Sequence, residues 1–256
     1  MNQLFIRQAA IDWERIASDD YLRRIPALQG LERLELSAPV TFFVGDNGTG
    51  KSTLLEAIAV AYGFNPEGGT KNYHFSTYDS HSGLYSAIKL IKGYRRAEGG
   101  YFLRAESFYN VATKEMEYTD PKHPSQRYHD RSHGESFMSL LQRWLGRTGV
   151  FLFDEPEAAL SPQRQLTLLA EIYHSAGRGS QFLIATHSPI LLALPGSAIF
   201  TFDDGPIHPC AYEETGSYQI TKMFVNNRDR LLRELLAEEE SPVTAPAADA
   251  GAFHPA

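Results

Sequence analysis

The sequence predicts an α/β fold in which helices flank a mainly parallel β-sheet with an antiparallel edge. Short apolar runs alternate with stretches of helical periodicity, which is the order expected of parallel strands joined by helices. The chain has 256 residues, of which 43% are hydrophobic, so it can bury a large core. Its single cysteine, Cys210, excludes an internal disulfide. We therefore expect a fold that depends on core packing rather than on covalent links.

Six apolar runs are predicted to form the strands of this sheet. Each run is short and is bounded by turn-forming or polar residues, as expected of buried strands. The runs are residues 31–36, 40–44, 101–105, 150–153, 181–185 and 199–202.

Two helices between these strands have well-marked boundaries. One begins after Gly50 and ends at Gly63, a residue suited to closing a helix in the left-handed conformation. The other begins at Ser161, an N-cap, with Pro162 at the first helical position. The apolar residues that share one face are Leu55, Ile58, Ala59 and Tyr62 in the first helix, where they are predicted to pack on the sheet, and Leu166, Leu169, Ala170 and Tyr173 in the second.

The chain is predicted to contain one folded domain and a tail. Residues 1–237 form the predicted domain. Within it, residues from about 64 to 146 are rich in Tyr, Gly, His and charge, and are predicted to form a small inserted subdomain with a helical part. Residues 238–256 are acidic and then rich in Ala and Pro, so this tail is predicted to be disordered.

Composition narrows the expected location and partners. The N-terminus lacks the basic start and apolar core of a secretory signal, and no apolar run is long enough to span a membrane. Because no disulfide can form within the chain, we expect a cytoplasmic protein. The formal net charge of -7 argues against a surface that is basic throughout. It does not exclude a local basic groove that binds nucleic acid.

A glycine-rich loop follows the predicted strand at residues 40–44 and leads into the first helix. Its sequence matches the pattern G-x-x-x-x-G-K-[ST]. The glycines let backbone N–H groups turn toward phosphate oxygens, and the helix N-terminus adds a partial positive charge. Lys51 is predicted to reach the β- and γ-phosphates of ATP, and the Ser52 hydroxyl is predicted to bind Mg²⁺. The predicted nucleotide-binding residues are Gly45, Asp46, Asn47, Gly48, Thr49, Gly50, Lys51, Ser52 and Thr53.

Two adjacent carboxylates end the apolar run at residues 150–153. Neighbouring side chains of a strand point to opposite faces, but where the chain turns at the strand end both can approach the phosphate loop. Asp154 is predicted to hold Mg²⁺, and Glu155 to orient the attacking water or accept its proton. This assignment depends on the phosphate loop, because an acidic strand end alone can simply serve solubility.

Three windows of the sequence together resemble the ATP-binding-cassette (ABC) type ATPases. They are the loop at residues 45–52, the segment FLFDEP at residues 151–156, and THSP at residues 186–189 after a further predicted strand. Within this class the sequence is similar to soluble AAA-like ATPases related to the heads of chromosome-maintenance and DNA-repair proteins. The resemblance implies a P-loop NTPase fold, hydrolysis of ATP with Mg²⁺, and a homodimer that forms on ATP binding.

The resemblance also implies roles for single residues. Asp154 matches the family's magnesium aspartate, Glu155 its catalytic glutamate, and His187 its switch histidine, which contacts the γ-phosphate. An imidazole at a strand end can donate a hydrogen bond to a phosphate oxygen, which agrees with the role of His187. The predicted catalytic residues are therefore Glu155, His187 and Lys51.

A signature loop is matched in part by SHGES at residues 132–136, ahead of a helix predicted over 137–145. In the family this loop approaches the nucleotide held by the partner subunit. Ser132, Gly134 and Glu135 are predicted to do so here. A simple N-cap for the following helix explains the same serine.

Two departures from the family pattern stand out. No glutamine occurs between Ser52 and Gln126, so the family's glutamine that contacts metal and water is missing, and Glu106 or Ser107 are candidates to replace it. Ser161 stands where many relatives carry aspartate, which weakens the case for crosstalk across a dimer interface.

Two other functions would use a phosphate loop. An ATP-binding subunit of a membrane ABC transporter would need a glycine pair in the signature window, so a membrane partner is disfavoured. A small-molecule kinase would need an acceptor pocket and an arginine-bearing lid, and would have no use for the strand end at residues 186–188. An ATPase that works as a nucleotide-driven dimer is therefore the preferred hypothesis.

Overall fold

The computed structural model describes residues 4–71, 83–104 and 133–237. Predictions that fall elsewhere are neither confirmed nor contradicted. The residues concerned are Glu106, Ser107, Ser132 and the tail at 238–256.

By internal contacts the chain divides into two compact units, residues 1–219 and residues 220–256. All residues of the candidate site described below lie in the first unit. The prediction of a single domain over residues 1–237, with a subdomain inserted in it, stays a prediction. No helix among the described residues combines the length and the apolar character needed to cross a membrane.

Two sheets make up the β-structure of the described residues. In the larger one the strand order is β5-β6-β7-β3-β8-β9, and every neighbouring pair is parallel except β8 with β9. The predicted mainly parallel sheet with an antiparallel edge is thereby confirmed, but the run at residues 31–36, predicted to be one of its strands, instead forms a strand of the smaller sheet by pairing with β1. The smaller sheet is antiparallel, with the order β2-β1-β4. The strands are β1 Ile6–Ile11, β2 Arg33–Glu35, β3 Val40–Val44, β4 Ile88–Lys92, β5 Gly99–Arg104, β6 Gly149–Asp154, β7 Gln181–Ala185, β8 Ala198–Thr201 and β9 His208–Pro209.

Helices cover both faces of the larger sheet, because its strands are apolar on both sides. In β6, Val150 and Leu152 join one buried cluster, while Phe151 and Phe153 join the other. The first cluster includes α1 and the smaller sheet, and the second includes α2, α3 and α4. The helices are α1 Lys51–Tyr62, α2 His133–Leu145, α3 Pro162–Gly177, α4 Pro189–Leu192, α5 Gly216–Asn226 and α6 Arg228–Leu236.

Helix α1 agrees with its prediction at both ends. Gly50 precedes it with φ of 100°, and Gly63 closes it with φ of 108° while its N–H donates to the carbonyls of Ala59 and Val60. A left-handed conformation suits glycine because other residues would meet a steric cost. The four residues predicted to pack on the sheet are all buried.

Helix α3 begins as predicted, but a different face of it is buried. Leu166 and Tyr173, on the predicted apolar face, are 50% and 52% exposed. The buried face instead consists of Leu168, Ile172 and Ser175. Ser175 can lie there because its hydroxyl bonds to Leu145 O and Ser180 Oγ. A polar residue within the buried face obscured the helical period in the sequence.

Besides apolar packing, a buried side chain connects the two sheets. Gln181, the first residue of β7, is 1% exposed. Its Oε1 accepts from the N–H of Ile6 and its Nε2 donates to the carbonyl of Ile6, each over 2.8 Å. A primary amide offers the same donor and acceptor as a peptide group, so it satisfies Ile6 as a paired strand would.

Candidate active site

The candidate site lies where β3, β6 and β7 end at one edge of the larger sheet. Strand β7 lies between the other two, and Ala185 is in register with both Phe43 and Asp154. Because the strands are parallel, the segments that follow them emerge together. Those segments carry the glycine-rich loop, the acidic pair and His187.

The glycines of the loop adopt backbone conformations that other residues rarely adopt. Gly45, Gly48 and Gly50 have φ of 139°, 81° and 100°. A Cβ on Gly45 would lie 2.9 Å from Asp203 Oδ1, and one on Gly50 would lie 2.9 Å from a methyl carbon of Ile25. Both the backbone path and the close packing therefore require glycine at the two ends of the loop.

Lys51 lies inside the loop and is 3% exposed. Its ammonium donates to the carbonyl oxygens of Gly45 and Asp46, each over 2.7 Å. Burial lowers the pKa of Lys51, while nearby carboxylates, that of Glu155 first among them, oppose this shift. The loop thus folds around a cation that its own backbone holds in place.

The loop and the acidic strand end are in direct contact. The hydroxyl of Ser52 donates to Oδ1 of Asp154 over 2.8 Å. On the other side of this carboxylate, the guanidinium of Arg104 lies 4.0 Å from Oδ2 and forms a 2.6 Å ion pair with Glu56 of α1. Asp154 is therefore bordered by a hydroxyl from one side and a cation from the other.

Glu155 adopts a left-handed conformation, with φ of 49° and ψ of 53°. Among the described residues other than glycine, positive φ is shared only with Asp204. A bond from the Glu155 N–H to the carbonyl of Ala185, 2.9 Å long, holds this turn. Such a conformation costs about 1–3 kcal/mol and is common at functional sites. The turn leaves the Glu155 side chain 44% exposed.

His187 lies beside Glu155, with its Nε2 3.8 Å from Glu155 Oε1. This nitrogen is buried, and no residue within the described ranges forms a hydrogen bond with it. The backbone N–H of His187 donates to Oε1 of Glu157 over 2.6 Å. The site thus contains a buried imidazole nitrogen that is available to a ligand.

The structure places the predicted signature residues in a helix. Helix α2 begins at His133, so Gly134 and Glu135 lie in its first turn rather than in a loop ahead of a helix at 137–145. Their predicted contact with a partner's nucleotide stays a prediction. Candidate metal ligands are two oxygens, from Ser52 and Asp154, and no group of three or more His, Cys, Asp or Glu in the described part of the chain is arranged to hold a metal.

Sequence reasoning missed three side chains that hold the site together. Asp203 accepts from the N–H of Asp46 over 2.8 Å, Glu157 binds the backbone at His187, and Arg104 pairs with Glu56 near Asp154. Asp203 follows the predicted strand at 199–202 just as Asp154 follows its own strand, so the same strand-end argument could have found it. Nothing in the sequence signals the other two.

Family models match most of the chain in two parts. An AAA domain model matches residues 22–129. A second model, described as "AAA domain, putative AbiEii toxin, Type IV TA system", matches residues 136–193. The first range contains the glycine-rich loop, and the second contains Asp154, Glu155 and His187.

Solved structures show a looser likeness. The SMC head domain from Thermotoga maritima is 14% identical, with a TM-score of 0.46, and the match covers 81% of this chain and 100% of that one. The ADP conformation of MJ1267, an ATP-binding cassette of an ABC transporter, is 18% identical, with a TM-score of 0.47 and coverage of 92% and 99%. The protein cbiO1 from Clostridium perfringens, part of the ABC transporter complex cbiONQ, is 16% identical, with a TM-score of 0.46 and coverage of 90% and 99%. Among curated proteins, none matches the chain.

The family matches, together with the loop and the strand ends, define the class of this protein. It is a P-loop ATPase with similarity to AAA domains. Its activity is the binding and hydrolysis of ATP.

Proposed function

We propose that the loop at residues 45–53 holds the phosphates of Mg²⁺-ATP, that Glu155 and His187 act on the γ-phosphate, and that nucleotide binding pairs two copies of the chain. The observation that carries this proposal is the 2.8 Å bond from Ser52 to Asp154. It joins the phosphate loop to the acidic strand end, the two parts that phosphoryl transfer needs side by side.

The loop is already shaped for phosphate. Its left-handed glycines turn the backbone around Lys51, whose ammonium now bonds to the carbonyls of Gly45 and Asp46. Phosphate oxygens would compete for the same ammonium and would form stronger, charge-assisted bonds. Burial lowers the pKa of Lys51, and the surrounding carboxylates offset part of this shift in favour of the protonated form, which is the form that binds phosphate.

Ser52 and Asp154 fit a magnesium ion. Mg²⁺ prefers oxygen ligands and is usually held by one or two protein groups together with water and substrate phosphates. The hydroxyl and carboxylate oxygens lie 2.8 Å apart, close enough to act as neighbouring ligands. When bound, Mg²⁺ would neutralise negative charge that develops on the phosphates.

Glu155 and His187 have separate proposed roles. Glu155 is held in its turn by the carbonyl of Ala185, with the carboxylate partly open to solvent, so it can orient a water molecule or accept its proton. His187 Nε2 can donate to a γ-phosphate oxygen because, within the described residues, no other hydrogen bond uses it.

The proposal of a dimer rests on the resemblance and on the openness of the site. The side chains of His187 and Glu155 are 38% and 44% exposed, so this face of the site is partly open to solvent although His187 Nε2 itself is buried. A second copy would exclude water from this face, which strengthens electrostatic stabilisation. A cytoplasmic location stays a prediction from composition, and the question of a nucleic-acid partner stays open.

The metal assignment is tested through the magnesium dependence of ATP hydrolysis. Ser52→Ala and Asp154→Asn should each raise the Mg²⁺ concentration that gives half-maximal activity and lower the maximal rate. Thr167→Ala is a matched control, because that hydroxyl lies on the exposed side of α3 and bonds to Gln163 O within its own helix. Wild-type magnesium dependence in both site variants would contradict the proposal.

The transporter alternative is tested by isolating the chain. An ATP-binding subunit of a membrane transporter would use the same loop and carboxylates. If the purified chain alone hydrolyses ATP and dimerises with it, the independent ATPase is supported. If the chain instead co-purifies in fixed ratio with a membrane protein from its native cells, the subunit role is the correct one.

A further inference from the structure

The backbone at His187 is held by a carboxylate that the chemistry described above does not use. Glu157 lies two residues beyond Glu155, in the 3₁₀ turn Pro156–Ala159. Its Oε1 accepts the N–H of His187 over 2.6 Å. Bonds from a backbone N–H to a carboxylate are charge-assisted and about twice as strong as neutral ones.

A second connection joins the same two segments. Gln165, in the first turns of α3, donates from Nε2 to the carbonyl of Leu160 and accepts at Oε1 from the hydroxyl of Ser188, over 3.1 and 2.6 Å. The loop after the acidic pair is therefore connected to the turn after β7 at two successive residues, through the backbone N–H of His187 and the hydroxyl of Ser188. Together these bonds hold the backbone of His187 in place.

The arrangement around Glu157 is not the one expected of a purely stabilising contact. Its other carboxylate oxygen, Oε2, is buried and has no hydrogen-bond partner among the residues that the structure describes. Burying a charged oxygen without a hydrogen-bond partner is destabilising. The contact between Glu157 and His187 is therefore explained better by the geometry that it sets than by a gain in stability.

We propose that Glu157 is a positioning residue for His187. By binding the His187 N–H, it fixes where the imidazole leaves the backbone and so keeps Nε2 within reach of the γ-phosphate. This inference rests on the proposed role of His187 and adds to it the residue that sets the geometry. Glu157 itself touches neither the nucleotide nor the attacking water.

The inference is tested with three substitutions at position 157. Glu157→Gln keeps an acceptor of the same reach, whereas Glu157→Asp is one methylene shorter and Glu157→Ala has no acceptor. A displacement near 1 Å can cost about 100-fold in rate. We expect kcat to fall about 10- to 100-fold in the Asp and Ala variants, with KM for ATP within about threefold of wild type, and to be largely restored in the Gln variant.

A double-mutant cycle with His187→Ala separates positioning from general destabilisation. If Glu157 acts through His187, then Glu157→Asp should lower kcat in the wild-type background and have little further effect once His187 is Ala. Glu214→Ala is the matched control, because Glu214 also binds a backbone N–H, that of Ala211 over 2.8 Å, away from the site. It should leave kcat unchanged.

The possible outcomes distinguish the two proposals. Wild-type turnover by His187→Ala would overturn the role of the histidine. Slow turnover by His187→Ala combined with a full additional loss from Glu157→Asp would overturn the positioning role alone. An Ala variant that does not fold leaves the test intact, since the Asp and Gln variants carry the comparison. A Gln variant as slow as the Asp variant would also contradict positioning.

Discussion

The carboxylate of Asp203 accepts a hydrogen bond from the backbone N–H of Asp46 over 2.8 Å. It thereby fixes the first turn of the phosphate loop from a segment that follows β8. Without this bond the loop would lose a contact that holds its first turn. Substitutions of Asp203 can therefore distinguish the effect of the loop's conformation on ATP binding from the effect of the nearby negative charge.

Replacement of Asp203 should affect ATP binding more than turnover. Asp203→Ala removes the acceptor, so we expect ATP binding to weaken several-fold with kcat little changed. Asp203→Asn keeps an acceptor oxygen and removes a negative charge near the phosphates, so it should bind ATP at least as tightly as wild type. Titration with a fluorescent ATP analogue measures both. Unchanged affinity in the Ala variant would show that the bond is dispensable.

Replacement of Lys51 by Ala should abolish ATP binding or reduce turnover by about 100-fold or more, because it removes a cation positioned for the phosphates. Steady-state ATPase rates and equilibrium binding check this expectation. Lys89→Ala is the control, since Lys89 lies at the surface, where its ammonium is 3.5 Å from Asp12 Oδ2. Turnover by Lys51→Ala at the control's rate would exclude the proposed contact.

The variant Glu155→Gln should bind ATP but not hydrolyse it, because the amide can occupy the same turn but cannot accept a proton. If hydrolysis releases the dimer, this variant should accumulate as a dimer with ATP. Light scattering after size-exclusion chromatography, with ATP and with ADP, gives the mass in each state. Wild-type hydrolysis by this variant would show that another group is the base.

Removal of Arg104 should destabilise the fold. Glu56 is 8% exposed, and Arg104→Ala takes away its 2.6 Å ion-pair partner. The pair is partly exposed on the arginine side, so we expect a loss of about 2 kcal/mol, below the range for fully buried pairs. Urea denaturation of both single variants and of Arg104→Ala/Glu56→Ala gives the coupling energy. Additive effects would mean that the pair contributes nothing to stability.

The parts of the site that the sequence predicts are those with local chemistry. The motif at residues 45–52 predicts its own backbone conformation, because glycine, lysine and serine at that spacing between a strand and a helix are typical of a phosphate-binding loop. Helix α1 was predictable because its apolar face is long and its last glycine marks the end. The acidic pair was predictable because it directly follows a strongly apolar run.

The parts that escaped prediction depend on contacts between distant segments. Strands β1 and β4 belong to the smaller sheet, and half-polar runs such as IKLIK at 88–92 carry a weak signal. Glu157 and Arg104 reach their partners only because β5, β6 and β7 lie side by side. Their partners are set by register, which a single sequence does not reveal.

The amide of Gln181 bears on how firmly the two sheets are connected. The side chain of Gln181 in β7 forms hydrogen bonds with the backbone N–H and carbonyl of Ile6 in β1, in place of backbone pairing between the two strands. A substitution at position 181 should therefore leave the N–H and carbonyl of Ile6 without these two bonds, while the apolar packing of β1 in the first buried cluster remains. The joint between the two sheets is thus sensitive to a residue that lies outside the loop at 45–53 and the acidic strand end.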